Sequence, residues 1–168
     1  LFQGHEYGIE HFHPRKLTTV PSSVALIGMR TRFVQSMWGE RFIAKSAMSN
    51  RIISPLTIVS EAKLARFINS LNIPCCKAEE PLAAILRPNG RHEVVYRLIK
   101  PQGKLVPDST VLWPQVQREL RKQGIYPHDT ANNIIEDKDG FHFFDLESWN
   151  VSETLRRKLR LKVIPTNF

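Results

Sequence analysis

The sequence predicts an α+β protein built as two lobes. Short segments rich in β-branched and aromatic residues dominate its first half, whereas amphipathic helices and one compact hairpin dominate its second half. A polar stretch with proline and glycine, residues 100–110, separates the halves and is interpreted as a linker. With 168 residues, 42% of them hydrophobic, the chain is long enough for one domain or two small lobes with a real core.

The first lobe is predicted to contain a five-stranded sheet. Trp38-Gly39-Glu40 would join its second and third strands as a tight hairpin, and residues 87–90 would join its last two strands. Residues 1–23 show no clear period and are interpreted as a loose arm, in which LFQG (1–4) resembles a protease-site remnant of a tag. The predicted strands are VALIG (24–28), RFVQSM (32–37), RFIAKSA (41–47), LAAIL (82–86) and HEVVYRLI (92–99).

One amphipathic helix is predicted between the third and fourth strands. Ser54 supplies an N-cap and Pro55 suits the first helical position. Apolar residues then recur at helical spacing as far as Leu71. Asn72 can end the helix, and Pro74 prevents its continuation.

The second lobe is predicted to contain two helices and a small hairpin. The first helix covers about 113–123 and stops at Gly124. The segments IIE (134–136) and FHFF (141–144) form the hairpin, whose turn contains an Asp-Gly pair. Ser152 caps a final basic helix, ETLRRKLRLK.

The charge of the chain favours an anionic partner. A net charge of +8 and a pI near 9.8 suit nucleic acid, nucleotide phosphates or an acidic protein surface. No RNA-type aromatic motif, zinc-finger spacing or helix-turn-helix pattern is present, so nucleic-acid binding is not favoured. Part of the charge is a C-terminal cluster, which also suits a solvated helix face: Arg156, Arg157, Lys158, Arg160 and Lys162.

Cysteine usage and apolar content bear on the location of the protein. Cys75 and Cys76 are adjacent, so they are poorly placed to cross-link the fold and offer no metal spacing. We therefore expect a reducing compartment such as the cytoplasm. No segment has the apolar length of a membrane span, and the first residues do not resemble a secretory signal.

Polar residues flank the hairpin of the second lobe in a pattern that suits a metal–phosphate site. Asp129 and Asn133 precede the hairpin and Asp145 follows it. Each also has a plainer interpretation, as a turn-former or as the cap of a turn. Lys45 in the third strand and Glu61 in the helix can likewise be an edge lysine and a surface glutamate.

The order of the elements, with Lys45, Glu61, Asn133 and Asp145 in these positions, resembles the protein-kinase-like fold. The resemblance spans roughly 24–150, and its motifs are degenerate. It implies a kinase-like N-lobe, a hinge and a truncated helical C-lobe, at residues 24–99, 100–110 and 111–168.

The resemblance also implies roles for these residues. In this family a lysine of the third strand holds nucleotide phosphates and pairs with a glutamate of the following helix, which gives those roles to Lys45 and Glu61. Asn133 and Asp145 would be the metal ligands, and their oxygens suit Mg²⁺. ATP and Mg²⁺ are therefore the implied cofactors.

Two parts of the family pattern differ in this chain. The glycine-rich loop is reduced to Gly28, so we expect the side-chain charges of Arg30 and Arg32 to compensate for the missing glycines. The family spacing places the catalytic base at His128, but Asp129 is the carboxylate suited to orient an attacking hydroxyl. We favour Asp129 as the base and keep His128 as the alternative.

The implied activity is ATP- and Mg²⁺-dependent phosphoryl transfer to a Ser, Thr or Tyr hydroxyl of a protein. The very short C-lobe is similar to the minimal type III-secreted kinases that bacteria inject into the host cytoplasm, including a family that phosphorylates the host chaperone Hsp90. So short a lobe also implies constitutive activity. Two alternatives stay open: a small-molecule or lipopolysaccharide-sugar kinase, and a pseudokinase that acts as a binding module.

Overall fold

The structure is a computed structural model that describes residues 10–12, 17–19, 31–36, 41–46, 56–81, 83–86, 92–97, 104–105, 112–128, 134–138 and 140–163. In chain order its elements are β1 (Glu10–Phe12), β2 (Leu17–Thr19), β3 (Thr31–Ser36), β4 (Arg41–Ser46), α1 (Ile58–Ser70), β5 (Cys76–Ala78), β6 (Ala83–Leu86), β7 (His92–Arg97), β8 (Lys104–Leu105), α2 (Leu112–Lys122), β9 (Ile125–Tyr126), β10 (Ile134–Asp137), β11 (Gly140–Phe143), a 3₁₀ helix (Leu146–Ser148), β12 (Asn150–Val151) and α3 (Glu153–Leu159). The described part of the chain is thus a mixture of helices and strands, which agrees with the predicted α+β class.

The chain divides into two compact units. The first comprises Leu1–Ser49 and Pro81–Ile99, and the second comprises Asn50–Glu80 and Lys100–Phe168. Helix α1 belongs to the second unit, because it packs against β5, the 3₁₀ helix and α3. The sequence alone places that helix with the strands of the first lobe.

The first unit contains a six-stranded sheet in the order β1-β6-β7-β4-β3-β2. Both hairpin pairings predicted from the sequence are confirmed: β3 pairs antiparallel with β4, as in Val34 with Phe42, and β6 pairs antiparallel with β7, as in Ala84 with Val94.

The number of strands differs from the prediction of five. The additional strands, β1 and β2, come from the segment that the sequence predicts as a loose arm. They lie at the two edges, where β1 pairs with β6 and β2 with β3. Open edges leave backbone groups that short segments can pair with, and three residues are too few to show an alternating pattern. The strand predicted at 24–28 lies outside the described residues.

The second unit is organised around the β10–β11 hairpin, which confirms the sequence prediction. Ile134 pairs with Phe143, and Asp137 pairs with Gly140 at the turn. Strand β5 adds to β11 in parallel, and β8 adds to β10, so the sheet order is β5-β11-β10-β8. Strand β8 lies within the stretch predicted as a linker. Strands β9 and β12 form a separate antiparallel pair.

Gly140 has a geometric reason to be glycine. Its φ is +121°, and a Cβ at this position would lie 2.6 Å from the Cα of Cys75. This close approach lets the N–H of Phe141 donate to the carbonyl oxygen of Cys75 at 2.7 Å, where β5 joins the hairpin. Only glycine adopts such a backbone conformation without strain.

The start of α1 differs from its predicted start. Thr57, not Ser54, is the N-cap, and its hydroxyl accepts from the N–H of Ser60 at 3.2 Å. At the other end Asn72 has a φ of 51°, the left-handed conformation that commonly follows a helix. This agrees with the prediction that Asn72 ends the helix.

The other two helices also end at left-handed residues. Gly124, with a φ of 79°, follows α2 and confirms the predicted stop. Ser152 caps α3 by accepting from the N–H of Leu155 at 3.3 Å, as predicted. Helix α3 is shorter than predicted, because Arg160 adopts a φ of 53° and ends it after Leu159.

The core of the second unit centres on Phe143, which is fully buried. Its ring lies 5.1 Å from the ring of Trp113 and 5.6 Å from that of Trp149, between ring centroids. Aromatic clusters of this kind contribute beyond the area they bury. Leu64 and Ile68 of α1 belong to the same buried cluster, so α1 and the hairpin share one core.

The two cysteines have different environments. Both are free, and Cys75 is exposed whereas Cys76 is half-buried. Burial, and secondarily the neighbouring Cys75, raise the pKa of the Cys76 thiol from its ordinary value of 9.0 to about 12. No helix in the described ranges is both long and apolar enough to cross a membrane.

This pKa predicts a loss of stability at alkaline pH. The native state holds the Cys76 proton more tightly than the unfolded chain does, so its contribution is complete below about pH 9 and is lost as pH rises towards about 12. We expect Cys76→Ala to show a shallower decline in unfolding free energy between pH 8 and 10.5 than the parent protein, measured by urea unfolding. Cys75→Ala is the control; it keeps the burial that is the larger cause of the raised pKa, so its slope should stay close to that of the parent. Equal slopes in all three proteins would contradict the prediction.

Candidate functional site

Asp145 lies directly after the hairpin, two residues beyond the end of β11. Its side chain is buried, and its backbone is left-handed, with φ 62° and ψ 61°. Such a conformation is uncommon for a residue other than glycine, although aspartate tolerates it better than most. Asp145 stands at the N-cap of the 3₁₀ helix, but its carboxylate makes no capping hydrogen bond. The side chain of Asp145 therefore does not cap the 3₁₀ helix.

Glu61 lies against the residue that follows Asp145. One carboxylate oxygen, Oε1, accepts from the N–H of Leu146 at 3.2 Å, between residues 85 positions apart in the chain. Glu61 is only 1% exposed, so the interpretation as a surface glutamate is wrong. It lies in the first turn of α1 because the helix begins at Ile58, and a negative charge there interacts favourably with the helix dipole.

A second contact holds the same segment to the start of α1. The N–H of Leu56 donates to the carbonyl oxygen of Glu147 at 2.8 Å. One of these backbone groups lies just before α1, and the other lies two residues after Asp145. The segment from Asp145 to Ser148 is thus fixed to α1 through a side chain and through the backbone.

The C-terminal segment in turn fixes the start of α1. The N–H of Thr57 donates to the carbonyl oxygen of Lys162 at 3.0 Å, and the N–H of Lys162 donates to Oγ of Ser60 at 2.6 Å. Leu56 also forms a bridge with Val163. Chain segments more than 80 residues apart in sequence therefore meet at the N-terminal turn of α1.

Strand pairing brings together the ends of two connections in the second unit. One loop joins β9 to β10 and contains Asp129 and Asn133; the other joins β11 to β12 and contains Asp145. Because β9 pairs with β12 and β10 pairs with β11, the two loops start and end at the same strand pairs. Oγ of Ser148 donates to the carbonyl oxygen of His128 at 3.4 Å, which joins the loops directly.

Several of the predicted site residues lie outside what the structure describes. Asp129 and Asn133 fall in the undescribed middle of the first loop, and Gly28 and Arg30 are also undescribed. The side chain of His128 is exposed, and only its backbone takes part in the contact between the loops.

The two remaining predicted residues belong to the first unit. Lys45 lies in β4, where its backbone is paired with Thr31 on one side and Val94 on the other. Arg32 lies in β3, opposite Ala44. These registers place Lys45 in an interior strand of the six-stranded sheet, so its interpretation as an edge lysine does not apply.

Three polar residues of this site do not stand out in the sequence analysis. Glu147 and Ser148 are buried beside Asp145, and Ser60 is buried in α1. The signal that could have found the first two is their place in the apolar run FFDLESW, because polar residues in such a run are either turned to solvent or held in a buried network. The same run contains Trp149, whose buried Nε1 has no hydrogen-bond partner among the described residues.

No group of three or more His, Cys, Asp or Glu side chains that could hold a metal occurs among the residues described. Mg²⁺ commonly takes only one or two carboxylates and completes its shell with water and phosphate oxygens. Asp145 supplies one buried carboxylate at this place in the chain.

A cavity of about 570 Å³ lies elsewhere in the second unit, between the α1–β5 connection and α2. Its lining, which includes Pro74 and Val116, contains none of the predicted site residues.

A scan against models of protein families finds no match to this chain, and a search of curated proteins finds none either. The case for a function therefore depends on the site residues themselves.

The Glu61 contact predicts an ordered series of stabilities. Glu61→Ala leaves the buried N–H of Leu146 without this acceptor, which costs about 1–3 kcal/mol. Glu61→Gln keeps an acceptor oxygen and should be more stable than Glu61→Ala by at least about 1 kcal/mol. Urea unfolding at neutral pH measures both differences.

Glu119→Ala provides the control for this series. Glu119 is a half-exposed helical glutamate on α2, so its loss should change the unfolding free energy by no more than about 0.5 kcal/mol. Equal stabilities for the alanine and glutamine variants at position 61 would show that the hydrogen bond to Leu146 does not stabilise the protein.

Proposed function

We propose that this protein is a minimal kinase, which transfers the γ-phosphoryl group of ATP to a hydroxyl side chain of a protein with the help of Mg²⁺. The observation that carries the proposal is the hydrogen bond from the N–H of Leu146 to the buried carboxylate of Glu61. It brings together two regions, the helix glutamate and the post-hairpin aspartate Asp145, that the resemblance to kinases assigns to one catalytic centre.

The connectivity of the second unit supports the proposal independently of that contact. The two loops that contain the proposed base Asp129 and the proposed metal ligands Asn133 and Asp145 are bracketed by the same strand pairs. Ile134 directly follows Asn133 and pairs with Phe143, two residues before Asp145. The chain neighbour of Asn133 therefore meets the strand end that leads to Asp145, which supports the proposal that both residues bind one ion.

The proposed division of labour uses few residues. Lys45 would hold the α- and β-phosphates, as the resemblance implies, and Glu61 would orient the Asp145 segment. Asn133 and Asp145 would hold the magnesium ion. When bound, Mg²⁺ neutralises charge on the β- and γ-phosphate oxygens. Asp129 would accept a hydrogen bond from the substrate hydroxyl and orient it for in-line attack.

Catalysis in this scheme depends on positioning, because phosphoryl transfer needs little covalent chemistry from the protein. The described contacts favour a site that is held in place. The Asp145–Ser148 segment is fixed to α1 by Glu61 and by Leu56, and α1 is fixed to the C-terminal segment by Ser60. We therefore expect constitutive activity without prior phosphorylation.

The finer parts of the proposal follow from the resemblance to minimal secreted kinases. They are an effector role in the cytoplasm of a host cell and a host protein substrate such as the chaperone Hsp90. The basic charge of the chain supports an acidic protein partner in general and no particular substrate.

Asp145→Asn is the most informative substitution for this proposal. Asparagine tolerates the left-handed backbone at this position, so the fold should survive while a charged metal ligand is lost. We expect phosphoryl transfer to fall at least about a hundredfold, since removing one charge-stabilising group typically costs that much. The measurement is transfer of label from γ-labelled ATP, with Mg²⁺, to a discrete band of a eukaryotic extract.

Glu119→Gln serves as the matched control, because it removes one carboxylate from the exposed face of α2. It should transfer label at the parent rate. Wild-type transfer by Asp145→Asn would contradict the assignment of Asp145. No transfer by the parent protein to any extract component or sugar, with nucleotide binding intact, would leave a pseudokinase in place of a kinase.

A further inference from the structure

The positive charges at the C-terminal end of the described chain form a continuous surface with α1. Lys158 lies over the ring of Phe67, with Nζ 5.6 Å from the ring centroid. Nζ of Lys63 donates to the carbonyl oxygen of Arg160 at 3.4 Å. Lys162 is bound through its backbone N–H to Ser60. We refer to Lys63, Lys158, Arg160 and Lys162 as the basic stripe.

The basic stripe follows one face of α1. Ser60, Lys63 and Phe67 recur at helical spacing, so they lie along one side of the helix over about 10 Å. The segment from the end of α3 to Lys162 runs beside them. Its backbone is fixed by the Ser60 hydroxyl and by the N–H of Thr57, so the charges are presented on a rigid frame.

Local structure explains only part of this charge. A lysine in the last turn of a helix stabilises the helix C-terminus, which accounts for Lys158. Arg160 is left-handed and lies beyond the helix, and Lys162 is two residues further on, so neither has that role. Among the described residues, Lys158, Arg160 and Lys162 have no acidic partner, whereas the exposed Arg157 is paired with Glu153 at 3.0 Å.

Crowding cations without acidic partners destabilises the compact state through mutual repulsion. A rigid surface on which positive charges repel one another is suited to bind a partner of opposite charge. An extended peptide advances about 3.3 Å per residue, so four or five acidic residues span the length of the stripe.

We propose that the basic stripe docks an acidic segment of the protein substrate. The proposal deepens the proposed function, on which it depends for the substrate. The scarcity of exposed apolar side chains at the stripe favours a peptide over other anions. Tyr126 in β9 is the one exposed large hydrophobic residue among those described, and it does not belong to the stripe. The half-buried ring of Phe67, the aromatic residue on this face, lies under Lys158. Among the described residues the stripe therefore offers no exposed platform for stacked bases and no apolar face for a membrane.

A binding measurement tests the docking surface separately from catalysis. The probe is a fluorescent ten-residue peptide of Asp and Glu, and its anisotropy is followed with the full chain. We expect binding that weakens with salt and a loss of about tenfold in the double variant Arg160→Asn/Lys162→Gln, since each exposed ion pair contributes a fraction of a tenfold step. Asparagine is chosen at position 160 because it tolerates the left-handed backbone.

The matched control is Arg118→Gln/Arg121→Gln, which removes two positive charges from α2. It should bind the peptide within about twofold of the parent, because the lost charges are not part of the stripe. An equal loss in both double variants would overturn the proposal in favour of net charge alone. Tighter binding of a DNA duplex or of anionic phospholipid vesicles, lost in the stripe variant, would overturn it in favour of those partners. If the double variant of the stripe unfolds, the single variant Lys162→Gln replaces it, and its affinity for the peptide should fall about threefold.

The docking proposal and the kinase proposal fail in different ways. Peptide binding that depends on the stripe, with no phosphoryl transfer to any substrate, would leave the docking surface and remove the kinase. Transfer to a peptide substrate whose KM is the same with and without an acidic extension would leave the kinase and remove the docking surface. An acidic extension that lowers KM in the parent protein and not in the stripe variant supports both.

Discussion

The arrangement of the second unit depends on a buried carboxylate that receives a backbone N–H from a distant part of the chain. Glu61 would be costly to bury in the core without partners, and the contact with Leu146 provides one of them. The same hydrogen bond also determines where the chain turns after the β10–β11 hairpin. The first turn of α1, the 3₁₀ helix and the C-terminal segment then meet around this contact.

The hairpin and its aromatic core hold the other side of the site. Phe143, at the end of β11, packs between Trp113 and Trp149, so the chain enters and leaves the Asp145 turn through buried rings. This packing offsets the cost of a left-handed aspartate, which a free turn would not retain. An uncommon backbone conformation stabilised by a surrounding core is often found at functional sites. For Asp145 it agrees with the proposed role as a metal ligand.

Much of the second unit could be predicted from local sequence signals. The α2 stop at Gly124, the Ser152 cap and the β10–β11 hairpin each follow from residues that are neighbours in the chain. The sequence does not predict four short strands of this unit, β5, β8, β9 and β12. Strands of two or three residues form only through pairing with distant partners. The sequence predicts the N-cap of α1 at Ser54 instead of Thr57, because Ser54-Pro55 is the stronger local signal. The burial of Glu61 depends on Leu146, 85 residues away, and no helical pattern reveals that contact.

In the proposed function the Asp145 turn belongs to a site for a nucleotide and its magnesium ion. Calorimetric titration with a non-hydrolysable ATP analogue, with and without Mg²⁺, tests this proposal without requiring the substrate. We expect saturable binding of one nucleotide per chain that tightens at least about tenfold when Mg²⁺ is present, because a metal ligand and the phosphates would share the ion. No binding at millimolar analogue, or binding that is indifferent to Mg²⁺, would contradict it.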